Sequence, residues 1–132
     1  ALRLLAEGVE LSAPGHWLTE VATVLWAKSV IHGVLNRAQA EARLAWLAEQ
    51  EVSETNVRSL LTSASSISFD LHLTVYDGLY LSLATKLAAP MVTADRELHD
   101  KARGDHRFAP LVVWVEDFGQ PPPQAAPTPP PR

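Results

Sequence analysis

The sequence predicts an α/β fold built on a parallel sheet. Two observations predict it. Strand-like and helix-like signals alternate along residues 1–118 in the order β-α-α-(β)-α-α-β-α-β, the pattern of crossover-connected parallel strands. The 132 residues, 47% of them hydrophobic and 20% charged, suit one globular domain with a core of its own.

The elements follow in order. Ala1 to Ala6 look like the end of a helix, closed by Gly8, and Val9 to Ala13 read as a short strand stopped by Pro14-Gly15. Trp17, Val21, Val24, Leu25 and Lys28 recur at helical spacing, and that helix ends near Gly33. Asn36 caps a second helix, Arg37 to Gln50, with Ala40, Leu44 and Leu47 on its apolar face. Val52-Ser53 is a candidate very short strand. A third helix spans Asn56 to Leu71, although Ser63, Ser65, Ser66 and Ser68 lower its intrinsic propensity. Thr74 opens the clearest helix, with Tyr76, Leu79, Tyr80, Leu83, Ala84 and Leu87 on one face, broken by Pro90. Met91 to Ala94 is a short buried strand, Asp95 caps a helix to about Ala102, and Leu111 to Val115 is a final β-branched strand. Residues 119–132, GQPPPQAAPTPPPR, carry every proline except Pro14, Pro90 and Pro110, so they read as a solvated, disordered, polyproline-like tail.

Composition removes whole classes of chemistry. With no Cys there are no disulfides, thiolate metal sites or cysteine nucleophiles, which fits a reducing, cytoplasmic setting. The net charge of −4 gives no sequence-wide basic field for nucleic acid or anionic lipid. No apolar run is long enough for a membrane span, and the N-terminus lacks the pattern of a signal peptide. Nucleotide-binding glycine loops, the nucleophile elbow and HExxH are absent, and His16, His32, His72, His99 and His106 read as surface or capping residues.

Three carboxylates stand out by position. Glu20, Asp77 and Asp95 each lie near a helix N-terminus, and Glu20 and Asp95 closely follow strands. In an open parallel sheet such ends gather on one edge, where ligands bind. Crowded carboxylates repel, and a hard divalent cation relieves that repulsion. Helix capping explains the same positions, because backbone N–H groups and the helix dipole favour acids there. Thr74-x-x-Asp77 is a capping-box pattern and Asp95 an N-cap.

LHLTVYDGLYLSLATKLAAPMVTADREL, residues 71–98, resembles the C-terminal half of PIN-domain ribonucleases of the VapC toxin kind. WLTEVATVLWAKSVIHGVL, residues 17–35, resembles the same family's second motif, and the likeness continues weakly from Ala1 to Phe118. The resemblance implies a three-layer α/β/α domain over residues 1–118 with a central parallel sheet. It implies that Glu20, Asp77 and Asp95 are catalytic, metal-binding acids, with Thr93 orienting Asp95 or a water. The implied cofactor is Mg²⁺, with Mn²⁺ possible on the same oxygen ligands. The implied reaction is hydrolysis of single-stranded RNA. The implied partners are a cognate antitoxin and a second copy in a homodimer, with no membrane involved.

The family's first motif, a strand ending in Asp, has no counterpart here, so the domain reads as N-terminally incomplete and its acidic cup as lacking one member. Gly78 and Ala89 stand where the family often has Ala and Gly, and His72 where Gly often ends the preceding helix. Gly78 is expected to cost its helix up to about 1 kcal/mol. Lys28, Arg37 and Arg43 read either as phosphate contacts or as solvated helix faces. Arg96 reads either as a phosphate ligand or as the partner of a nearby carboxylate. The main alternative function is a non-catalytic PIN-fold binding module that dimerises and sequesters a partner through the surface around Trp17, Val21 and Trp26.

Overall fold

A computed structural model of the chain describes residues 9–119. The expected helix end at Ala1 to Ala6 lies outside the described residues, as does the proline-rich tail beyond Gly119. The fold is mixed α/β, with five helices and four short strands among the described residues. The strands pair in parallel, as expected, but in two separate two-stranded sheets rather than one. Contacts divide the chain between Ala89 and Pro90 into two compact units.

In the first unit, β1 (Leu11–Pro14) pairs with β2 (Val52–Thr55), Leu11 opposite Val52 and Pro14 opposite Thr55. β1 is displaced from the expected Val9 to Ala13. Pro14 lacks an N–H yet ends the strand without loss, because the ladder continues through the Gly15 N–H donating to Thr55 O at 2.9 Å. α1 (Trp17–Val30) and α2 (Arg37–Ala48) connect the two strands. Gly33 stands in the left-handed region between the helices, at φ 63°. Asn36 and Gln39 form a full capping box at the start of α2. Leu25, Leu35 and Ala40 are buried together, with Val21 and Leu44 packed against them. Val24, placed on the buried stripe by its spacing, is instead half exposed.

α3 (Val57–Leu71) and α4 (Val75–Leu87) form the tightest pair. Leu60 and Ala64 pack on Leu79 and Leu83, with Val57 at the margin. His72 ends α3 in the left-handed conformation at φ 53°, in line with its reading as a substitute for glycine. Gly78 is required where helix propensity counted it as a cost. A Cβ there would overlap Ala64 O and the Ser68 Oγ. The serines of α3 make sense in the same way. Buried Ser68 is small enough for close approach, and its Oγ lies 2.8 Å from Ala64 O and 2.9 Å from Thr74 O, within donating distance of either.

The second unit holds β3 (Met91–Thr93), α5 (Arg96–Arg103) and β4 (Val112–Trp114). β3 and β4 pair in parallel, with Thr93 opposite Trp114. Its buried side chains are Met91, Leu98, Ala102, Phe108 and Val112. No described helix is long and apolar enough to cross a membrane.

Candidate functional site

The residues that the sequence singled out fall into two groups, one in each unit. In the first, the N-terminal ends of α1 and α4 contribute His16, Glu20, Tyr76, Asp77 and Tyr80. Glu20 lies in the first turn of α1 and Asp77 in the first turn of α4. Trp17 fastens the start of α1 to the end of β2, its indole N–H donating to Glu54 Oε1 at 2.8 Å. Thr74 caps α4, its Oγ1 accepting from the Asp77 N–H at 3.2 Å. The hydroxyl makes that cap bond, so the cap does not depend on the Asp77 carboxylate.

The focus of the group is Tyr80. Its hydroxyl donates to Glu20 Oε1 at 3.3 Å. Burial, then the charge and hydrogen bond of Glu20, then the charge of Asp77 push the Tyr80 phenol well above its ordinary pKa. Both carboxylates therefore act on one phenol, and Tyr80 stays a neutral donor across the physiological range. This brings Glu20 and Asp77 into one neighbourhood.

His16 completes the group. It occupies the N-cap position of α1 without making a side-chain cap bond. Its ring sits 5.4 Å from that of Tyr76 and 5.5 Å from that of Tyr80. Nε2 lies 3.4 Å from Glu20 Oε2, a contact that lacks hydrogen-bond geometry. Both ring nitrogens are buried with no hydrogen-bond partner among the described residues. A buried polar atom without a partner is uncommon and calls for a physical reason. The reading of His16 as a surface or capping residue is corrected here: the ring turns inward because two tyrosines offer it an aromatic wall. The signal was present as His16-x-x-x-Glu20, an i,i+4 pair on one helix face. Tyr80 was missed as a polar group because its spacing placed it on an apolar stripe.

In the second unit, Asp95 is the N-cap of α5, its Oδ1 accepting from the Leu98 N–H at 3.0 Å. Thr93 Oγ1 accepts from the Asp95 N–H at 3.0 Å, so the threonine holds the aspartate's backbone. Arg96 neither pairs with Asp95 nor reaches another carboxylate among the described residues. Its guanidinium carbon lies 3.7 Å from the centroid of the Trp114 ring, and the His99 ring meets the same indole edge-on at 5.6 Å. Arg37 pairs with Glu41 at 2.7 Å on an exposed helix face, the solvated alternative for that residue.

The donor set bears on whether a metal suits the site. Among the described residues, no group of three or more His, Asp or Glu is placed to hold an ion. Glu20 and Asp77 are a pair of oxygen donors, and the Glu20 side chain is 44% exposed. Mg²⁺ keeps most of its waters and binds through one or two carboxylates plus substrate phosphates, so an exposed carboxylate such as Glu20 suits it better than it would suit Ca²⁺ or Zn²⁺. No protein-family model matches the chain, and no curated protein matches it.

Proposed function

We propose that the chain is a metal-dependent endoribonuclease of the PIN-domain, VapC toxin kind, with a three-layer α/β/α domain and a single-stranded RNA substrate. The observation that carries this reading is the convergence of Glu20 and Asp77 on Tyr80, from two helices far apart in sequence. These are two of the acids that the resemblance in residues 17–35 and 71–98 marks. Asp95 joins them on the resemblance alone. Mg²⁺ held by these carboxylates would supply Lewis-acid stabilisation of the charge that grows on a phosphodiester.

The chain's own residues have separate tasks. Tyr80 donates to Oε1 of Glu20 and fixes the carboxylate's orientation, leaving Oε2 toward His16. The aromatic wall of Tyr76 and Tyr80 keeps water from the imidazole. The Thr74 hydroxyl forms the cap of α4, so the Asp77 carboxylate is not needed for that cap. Such a protein would work in the cytoplasm, paired with a cognate antitoxin and a second copy of itself.

The non-catalytic binding module is the second reading, favoured by an exposed apolar run, Trp26, Val30, Ile31 and Val34, at the C-terminal end of α1 and the turn beyond it. Trp17 and Val21, first grouped with Trp26, do not share that surface: Trp17 is tied to Glu54 and Val21 packs inward.

Asp77→Asn separates the two. On the nuclease reading, it lowers Mg²⁺-dependent cleavage of single-stranded RNA by about 100-fold or more. The melting temperature should barely move, because Asn keeps the shape and Thr74 keeps the cap. Cleavage at the wild-type rate would remove Asp77 from the reaction. A wild-type protein with no cleavage at all would leave the binding module.

A further inference from the structure

The unit formed by β3, α5 and β4 contains an arginine that the proposed chemistry does not use. Arg96 occupies the first position of α5, where a cation meets the positive end of the helix dipole. It is exposed, yet its guanidinium carbon sits over the Trp114 ring, 3.7 Å from the centroid, and the His99 ring meets the same indole edge-on. The acids of α5 are engaged elsewhere. Asp95 caps the Leu98 N–H, Glu97 pairs with Lys101 at 2.8 Å, and Asp100 contacts His99 at 3.1 Å. Among the described residues no hydrogen bond or ion pair occupies the N–H groups of Arg96.

Stacking uses the face of a guanidinium and leaves its in-plane N–H fork free. An arginine so held has already lost part of its side-chain freedom, and its donors are arranged for a planar or tetrahedral oxyanion. We infer that Arg96, held by Trp114, is a binding residue for a backbone phosphate of single-stranded RNA. The inference rests on the nuclease reading for the identity of the ligand and on the Arg96–Trp114 stack for the site. It assigns Arg96 a binding role and no part in bond cleavage. In a chain of net charge −4, affinity for RNA must come from local cations such as this one.

The test uses a labelled six-nucleotide single-stranded RNA, the full chain and EDTA, with binding followed by anisotropy over a range of salt concentrations. Arg96→Gln is expected to weaken binding about 5- to 10-fold and to flatten the plot of log K against log salt by about 0.7, the loss of one phosphate contact. Arg96→Lys should keep the salt slope and lose about 2- to 3-fold, because an ammonium keeps the charge but not the flat stack. Melting curves of both variants establish that they fold.

Wild-type affinity and slope in Arg96→Gln would overturn the inference, as would a wild-type protein that does not bind the RNA. Weaker binding with an unchanged slope would also overturn it, because the guanidinium would then be serving as a stacking surface for a base. The nuclease reading fails separately. RNA bound through Arg96 and left intact in Mg²⁺ would end that reading while leaving the phosphate site in place.

Discussion

Asp77 and Asp95 both stand at the start of a helix, and the two regions around them solve the same problem in opposite ways. At α4 a threonine hydroxyl accepts the cap bond, and the charge of the nearby aspartate acts on a half-buried phenol. At α5 the aspartate is itself the cap, with one oxygen committed to the Leu98 N–H. The surroundings differ in the same sense. α4 is held by close helix packing at Gly78, whereas α5 carries its weight through caps, short ion pairs and an indole stacked under an arginine. A carboxylate at a helix start thus makes the cap or leaves it to a neighbour, and the residue type alone does not tell which.

The largest effect that would sharpen this contrast is at the α3–α4 contact. Helix propensity says that Gly78→Ala should stabilise by about 1 kcal/mol. The packing says the reverse, because the new methyl meets a backbone carbonyl, Ala64 O, that cannot rotate away. Overpacking of this kind costs about 1–3 kcal/mol, so a net loss of about 2 kcal/mol is expected in thermal or urea unfolding. A rise in stability would mean that the helices separate easily and that the first region is not governed by shape.

The second effect compares the two aspartates directly. Asp95→Ala should cost about 1 kcal/mol, the usual value of a lost N-cap, and Asp95→Asn only a few tenths. Asp77→Asn should stay within about 0.5 kcal/mol of wild type, since Thr74 still accepts the Asp77 N–H. Equal losses at Asp77 and Asp95 in the same unfolding assay would erase the distinction between an acid that makes the cap and one that does not.

How much of this was legible follows from the same physics. Caps are local, so Asn36, Asn56, Thr74 and Asp95 marked the starts of four helices in the sequence, and all four cap in the structure. Helical spacing located the α3–α4 core, because Leu60, Ala64, Leu79 and Leu83 fall on facing stripes. Close approach is not local. Nothing near Gly78 in sequence announces Ala64 O, so the glycine read as a defect. Which strands pair was hidden for the same reason, since strands of three or four residues specify no partner. Glu20 and Asp77, whose charges both act on Tyr80, were singled out by position. Their aromatic neighbours were not, because Tyr80 at core spacing and His16 before a helix each had a commonplace explanation.

A smaller effect is expected at the end of α4. Ala88 adopts the left-handed conformation at φ 48°, where a Cβ crowds the backbone. The resemblance pointed to position 89 for the missing glycine, whereas the strained residue is its neighbour. Ala88→Gly should raise stability by about 0.5 kcal/mol, after the extra freedom that glycine gives the unfolded chain is set against the relief. Unchanged or lower stability would place the helix end under a constraint other than its backbone.

The last contrast vanishes at neutral pH and emerges only at its extremes. In the first region the Tyr80 phenol is held above its ordinary value near 10, by burial first and then by Glu20 and Asp77. Between the unfolded and the folded pKa the native state binds more protons than the unfolded one, so stability falls as pH rises above about 10. In the second region Asp105 is lowered to about 2, chiefly by hydrogen bonds from the Arg107 side chain and backbone N–H. Its contribution is fully present above about 3.9 and disappears as pH falls through about 2. This pair lies at the surface, where the exposed Arg107 is screened by solvent, so the acid limb should be the shallower one. Tyr80→Phe should flatten the alkaline limb of a melting temperature–pH profile and leave the acid limb intact, and Asp105→Asn should do the reverse. If Tyr80→Phe leaves the alkaline limb unchanged, the two carboxylates do not bear on that phenol in solution, and the grouping of Glu20 with Asp77 loses its physical basis.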